Sequence, residues 1–190
     1  MHISHRLYVI ALLSVSRTND ITLTRMVETR FQCLRLSNID NQSFLVGTWN
    51  KQIPLCTVDI LGNEEYITNV SFPGTYYNDS EYIVSEKLLA LTIRGINGVY
   101  LRILGNDRGK LVKDKRISRP MGVCAGPRGT LFVCCDHCIV QMTYQGDVVT
   151  TYDVNMKLTK RVRVSKDGSR MAVVNADPNN KQIKMFKTPT

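Results

Sequence analysis

The sequence has little of what enzyme active sites usually require. Among 190 residues there are three histidines and one tryptophan, and no glutamate follows Glu86. Because His2 and His5 lie at the N-terminus, a nucleophile such as Cys134 would depend on His137 as its base. No glycine-rich phosphate loop occurs. We therefore expect a non-catalytic protein that uses no cofactor and has no evident small-molecule substrate.

Long apolar segments are also missing. The run from Leu7 to Val15 is too short to cross a bilayer as a helix. It follows His5 and Arg6, so a secretory signal and a plain β-strand both fit it. Sequons for N-glycosylation, which would suit a secreted protein, occur at Asn41, Asn69 and Asn78. We expect a strand and a cytoplasmic protein with no membrane partner, and keep secretion as the alternative.

The cysteines do not have the spacing of a small disulfide-stapled domain. There are six, at Cys33, Cys56, Cys124, Cys134, Cys135 and Cys138. Since most lie inside apolar runs, we predict reduced thiols that act as small hydrophobic side chains. The densest cluster is Cys134, Cys135, His137 and Cys138, and sulfur with imidazole suits zinc. Neighbouring strand residues point to opposite faces, however, so the sequence predicts no metal site.

A repeated pattern of short apolar runs dominates the chain. From Ser118 to Thr190 the order of apolar run, glycine-containing turn and second apolar run occurs twice. Runs rich in Val, Ile and aromatic residues, separated by turn residues, are typical of antiparallel strands. The second strand of each unit is predicted to begin at Ser43, Leu88, Thr130 and Arg170, at intervals of 45, 42 and 40 residues.

This period favours an all-β fold, a β-propeller of four-stranded antiparallel blades, over a β-sandwich. Residues 1–28 are predicted to be the last two strands of a truncated blade. Blades are expected at about 29–72, 80–118, 119–156 and 157–190. We expect an incomplete arc of about four blades, from a larger propeller.

Positive charge is concentrated in the second half. Residues 1–86 contain 6 Lys and Arg against 9 Asp and Glu, whereas residues 87–190 contain 19 against 7. Such asymmetry fits a solvated basic surface, and it also fits an acidic protein or a nucleic acid as partner.

One stretch resembles a known repeat. Pro120 to Val123, followed by GPRGTLFV, Asp136 and IVQMTYQGDVV, is similar to an NHL repeat, and DGSRMAVVN from Asp167 is a weaker copy. With CLRLSNIDNQSFLVGTWNKQIPLCTVD from Cys33, these segments resemble the C-terminal propeller of invertebrate, notably molluscan, tripartite-motif proteins. The resemblance covers roughly Ile21 to the C-terminus.

The resemblance implies a recognition function. Relatives carry ubiquitin-ligase chemistry in an N-terminal RING, and this sequence shows no RING or B-box zinc pattern. The chain would then be the non-catalytic end of a ubiquitin ligase, the part that binds proteins and recognises the substrate. Some NHL propellers bind single-stranded RNA instead, which is our alternative.

In a propeller, the loops between second and third strands and those between blades gather at one end. We predict that this end is the binding face. Its candidate residues are basic or aromatic, a combination that can neutralise phosphates and stack bases. They are Trp49, Lys51, Tyr76, Tyr77, Arg94, Arg119, His137, Lys157, Lys160, Arg161 and Lys181.

Overall fold

The structure is a computed structural model that describes residues 8–48, 55–67, 79–106, 108–179 and 181–188. These residues form seventeen β-strands and two short 3₁₀ turns, Val84–Glu86 and Arg94–Ile96. The chain divides into two compact units, Met1–Val70 and Ser71–Thr190. No helix in the described ranges is long and apolar enough to cross a membrane.

The first unit contains a two-stranded and a four-stranded antiparallel sheet. Its strands are β1 Tyr8–Val15, β2 Ile21–Thr29, β3 Cys33–Asn38, β4 Ser43–Thr48, β5 Leu55–Asp59 and β6 Glu64–Tyr66. Ile10 and Val27, which face each other across β1 and β2, pack against Val46, Cys56 and Val58 of the larger sheet. Burial of these alternate residues explains why the apolar run after Leu7 is a strand, as predicted.

The second unit contains two four-stranded sheets and one three-stranded sheet, each antiparallel and connected in sequence order. The first is β7 Asp79–Ile83, β8 Leu88–Ile93, β9 Gly98–Ile103 and β10 Lys110–Lys113. The second is β11 Gly122–Ala125, β12 Thr130–Cys134, β13 Cys138–Thr143 and β14 Val148–Asp153. The third is β15 Thr159–Val164, β16 Arg170–Asn175 and β17 Ile183–Lys187.

The middle sheet of this unit is buried on both faces. Leu131 and Val133 of β12 pack toward the β7–β10 sheet, in a core with Leu88 and Val99. Phe132, between them in sequence, packs in the second core, which β15 and β16 complete. Because successive strand residues point to opposite faces, an uninterrupted apolar strand fits a sheet between two neighbours. This packing of small sheets side by side is that of propeller blades.

The first strands of the three sheets, β7, β11 and β15, lie next to one another. At Gly122 a Cβ atom would collide with the carbonyl oxygen of Lys160 on β15. Glycine at this position therefore permits the close approach of β11 to β15.

The predicted starts of the second strands are confirmed at Ser43, Leu88, Thr130 and Arg170. The run LVKDKRI, predicted as one strand, is only partly extended, because β10 ends at Lys113. The Asp114 carboxylate accepts hydrogen bonds from the backbone amide and the guanidinium of Arg116 at 2.6 to 2.9 Å. Because the Asp114 side chain binds the backbone amide two residues later, the chain turns here and does not continue as a strand.

Candidate functional site

Hydrogen bonds tie several connections of the second unit together at one end of its sheets. In the β8–β9 turn, Asn97 Oδ1 accepts a hydrogen bond from the backbone amide of Arg119 at 2.9 Å. The amide of Asp136, in the β12–β13 turn, donates to the Ser118 carbonyl at 3.1 Å. At the next sheet, the Ala176 amide donates to the Leu158 carbonyl at 2.8 Å. These connections form a linked loop surface, which we call the loop face.

A cavity of about 440 Å³ opens on the loop face between the β11–β14 and β15–β17 sheets. Three connections contribute to it: the β12–β13 turn, the β14–β15 loop and the β16–β17 loop. Its walls contain two carboxylates, three side-chain amides, two basic groups and one apolar side chain. They come from Asp153, Asp177, Asn155, Asn175, Gln182, His137, Lys157 and Met156.

Local hydrogen bonds hold the cavity walls in place. Asp153 Oδ1 accepts the amide of Asn155 at 2.8 Å, and Asp177 Oδ1 accepts the amide of Asn179 at 3.0 Å. Each aspartate therefore shapes its own loop as an Asx turn. Lys184 of β17 donates from Nζ to the Asn155 carbonyl at 3.1 Å, which joins the two sheets beside the cavity.

The basic candidates of the loop face are partly neutralised by acidic neighbours. Arg119 forms a 2.9 Å ion pair with Asp136, whose carboxylate also lies 3.8 Å from His137 Nε2. Lys157 shares the cavity wall with Asp153 and Asp177. The cavity therefore presents both signs of charge rather than a uniformly basic surface.

Another ionic cluster lies where the first strands meet. Arg161 of β15 is 3.5 Å from Asp79 of β7, and Arg163 is 3.4 Å from Glu81. Asp79 and Glu81 also accept hydrogen bonds from the backbone of β11, which lies between those strands. Burial raises the pKa of Glu81, and the positive charge of Arg163 opposes that rise. The cluster joins all three sheets. Arg161, which was predicted for the binding face, therefore forms an ion pair between strands instead.

The structure brings together some of the residues predicted for the binding face. His137 and Lys157 line the same cavity, and Arg119 reaches the turn that carries His137. Lys160 and Arg161, expected in an interblade loop, lie within β15. Arg94, in a 3₁₀ turn, and Lys181, in the β16–β17 loop, are exposed. Four candidates lie outside the described residues: Trp49, Lys51, Tyr76 and Tyr77.

The search for basic and aromatic residues missed the acidic and amide groups of the cavity. Asp136 and Asp177 follow the second strand of their sheets, and Asp153 ends β14. Their position after predicted strands was a usable signal, because loops at one end of a propeller converge. The packing of two neighbouring sheets decides which of these loops enclose a cavity, and the sequence alone does not show that packing.

The cysteines are free thiols, and Cys56, Cys124, Cys134 and Cys135 are buried. As predicted, Cys134 and Cys135 point to opposite sides: Cys134 packs in one core and Cys135 in the other. Burial raises the pKa of Cys124 to about 12. Within the described ranges, no three His, Cys, Asp or Glu side chains are placed to hold a metal ion.

Comparison with known proteins identifies the fold but not a family. No protein-family model matches the chain, and no curated protein matches it significantly. A solved structure of hydrazine synthase from Kuenenia stuttgartiensis is similar, with a TM-score of 0.61 and 14% identity. The alignment covers 82% of this chain and 46% of that chain. A streptogramin B lyase structure has a TM-score of 0.59 and 13% identity, with coverage of 83% and 55%.

The chain thus spans about half the length of these solved structures. At such low identity the similarity shows the fold alone. Together with the four-stranded antiparallel sheets, it establishes a β-propeller fold, and the fold class predicted from the repeat is confirmed.

Proposed function

We propose that the protein is a non-catalytic recognition module that binds a polypeptide segment at the cavity of the loop face. The supporting observation is the chemistry of the cavity wall. The amide side chain of Asn155 can exchange hydrogen bonds with a peptide backbone. The carboxylates of Asp153 and Asp177 can accept a basic side chain of the partner.

The cavity has the size and construction expected of a binding site. Its volume of about 440 Å³ falls within the range of pockets that hold small ligands or a few peptide side chains. Met156, which is 5% exposed, supplies an apolar floor on which a partner side chain can pack. The Asx turns at Asp153 and Asp177 hold the walls before the partner arrives, which lowers the entropic cost of binding.

The same chemistry favours a polypeptide over single-stranded RNA. RNA binding requires a basic groove with aromatic side chains for base stacking. Here two carboxylates line the cavity beside Lys157, and Asp136 neutralises Arg119. The basic excess of residues 87–190 still favours the RNA alternative, so the experiment below includes it.

The resemblance to tripartite-motif proteins extends this proposal to a cellular function. In that setting the module is the substrate-recognition end of a ubiquitin ligase whose RING is supplied by another polypeptide segment. A cytoplasmic location is part of this proposal.

The experiment is a binding selection with a random peptide library on the full chain, followed by titration of the selected peptides. We expect micromolar or tighter peptide binding that the double variant Asp153→Asn, Asp177→Asn weakens about tenfold or more. This loss corresponds to about 1.4 kcal/mol. Asparagine keeps the oxygen that closes each turn and removes only the charge. Asp147→Asn, in the turn at the other end of β13, is the matched control and should leave affinity unchanged.

A parallel titration with a generic single-stranded RNA oligonucleotide at two salt concentrations tests the alternative. Peptide recognition predicts weak RNA retention with little salt dependence, whereas phosphate binding gives affinity that falls steeply with salt. Strong, salt-sensitive RNA binding that is unaffected by the aspartate variants would overturn the peptide proposal. If the selected peptides bind the double variant as tightly as the parent chain, their binding site lies elsewhere on the protein.

A further inference from the structure

Two cysteines occupy the ends of the tight turn that carries Asp136 and His137. Cys135 follows β12, Cys138 begins β13, and the Cys135 amide donates to the Cys138 carbonyl at 2.9 Å. They are therefore opposite residues of a hairpin, whose side chains share one face of the sheet.

The two thiols differ in access. Cys135 is 1% exposed and belongs to the core between the β7–β10 and β11–β14 sheets. Cys138 is half-buried and lies opposite Asp153 of β14. Cys138 packs against the same core but is only partly covered, so its thiol is the more accessible of the two to a small molecule from solvent.

Their protonation differs in the direction that favours reaction at Cys138. Interaction with the Cys135 thiol lowers the pKa of Cys138. The same interaction, together with burial, raises the pKa of Cys135. A lower pKa increases the thiolate fraction, and the thiolate is the form that attacks a disulfide.

We propose that Cys135 and Cys138 form a redox-reactive dithiol that small-molecule disulfides oxidise to an intramolecular disulfide. The Cβ atoms of opposite strand residues are about 4.5–5.5 Å apart, and a disulfide needs about 3.5–4.5 Å. Because the backbones of this pair are hydrogen-bonded, the Cβ atoms lie toward the wide end of that range, and the turn has to close by about 1–2 Å. Cys135 belongs to the core, so oxidation requires a local adjustment of the core beside the turn.

The reaction proceeds in two balanced exchange steps. The Cys138 thiolate attacks one sulfur of the small disulfide, forms a mixed disulfide and expels one thiolate. Cys135 then attacks the Cys138 sulfur and expels the second thiolate, which takes the Cys135 proton. Two protein thiols and one small disulfide thus become one protein disulfide and two small thiols.

Cys134 supplies an internal control because its thiol lies on the other face of β12. It is fully buried, and burial raises its pKa. Although adjacent to Cys135 in sequence, it should not take part in the exchange.

The test uses the reduced full chain, incubated with oxidised glutathione, alkylated and analysed by fragmentation mass spectrometry. We expect the parent chain to lose two hydrogens, with the link between Cys135 and Cys138. Cys135→Ala should instead accumulate one glutathione adduct on Cys138, Cys138→Ala should form neither product, and Cys134→Ala should behave like the parent. Circular dichroism checks that each variant is folded.

Three outcomes overturn the proposal. The first is a parent chain that stays fully reduced, and the second is a disulfide that joins another pair, such as Cys124 with Cys134. A stable glutathione adduct on Cys138 of the parent chain would also refute it, because Cys135 would then not resolve the mixed disulfide. If a variant fails to fold, the fragmentation spectrum of the parent chain alone decides between these outcomes.

Discussion

Arg119 Nη1 lies 2.9 Å from Asp136 Oδ2, and this ion pair joins the connection before β11 to the turn between β12 and β13. The same arginine donates its backbone amide to Asn97 Oδ1. One residue therefore links three connections of the loop face. Because the Arg119 side chain is 45% exposed, solvent screens the ion pair, and its contribution to stability is modest.

A double-mutant cycle with Arg119→Gln and Asp136→Asn should measure this link. We expect a coupling free energy of about 0.2–1 kcal/mol, typical of solvent-exposed ion pairs. Urea denaturation of the four proteins gives the value, and it should fall when salt is added. A coupling of zero at low salt would show that the two side chains do not interact in solution.

Gly122→Ala should destabilise the second unit by about 1–3 kcal/mol. The new methyl group would collide with the Lys160 carbonyl, so β11 and β15 would have to move apart. Gly95→Ala is the matched control, because no atom lies within 4 Å of a Cβ at that position. Thermal denaturation should separate the two variants, and equal melting temperatures would contradict the close strand approach.

Val133→Ala should cost roughly 2 kcal/mol, since it removes two methyl groups of about 0.8 kcal/mol each and leaves a cavity. Val133 is fully buried in the core shared by two sheets. The control is Val149→Ala in the same sheet, where the side chain is 55% exposed and the change should stay within about 0.5 kcal/mol. Similar losses from both variants would mean that the middle sheet is not covered on both faces.

Asp167 should titrate at an unusually low pH. Hydrogen bonds from the Ser165 hydroxyl and from the amide and hydroxyl of Ser169 lower its pKa to about 2. Because the folded pKa lies below the unfolded value of about 3.9, the stabilising effect is present above pH 4. It disappears as the pH falls toward 2.

Carbon-detected NMR of the Asp167 carboxyl provides the measurement. In the variant Ser169→Ala, which removes the hydroxyl donor, the midpoint should move upward toward the unfolded value. A midpoint near 3.9 in the parent chain would show that the turn between β15 and β16 is not held by these hydrogen bonds.

Strand positions followed from local patterns, because a strand in a layered β protein alternates or is continuously apolar. The local pattern therefore predicts correctly where the second strand of each sheet begins, at Ser43, Leu88, Thr130 and Arg170. The pattern failed at Asp114, where a side chain competes with the sheet for the backbone amide of Arg116. Such competition is short-range, but a run of mixed polar and apolar residues does not reveal it.

The candidate site was less accessible from the sequence. Net charge pointed to basic residues, and His137 and Lys157 do line the cavity. Whether a basic group is available for a partner depends on its neighbours, however. Asp79 comes to lie beside Arg161 although 82 residues separate them, and only the packing of β7, β11 and β15 brings that about.

Repetition of apolar runs and glycine turns was enough to specify the strands, their antiparallel pairing and the propeller class, because those features depend on residues close together in the chain. The cavity and the neutralisation of Arg119 and Arg161 arise where distinct sheets pack. They depend on long-range contacts, which a local pattern does not encode.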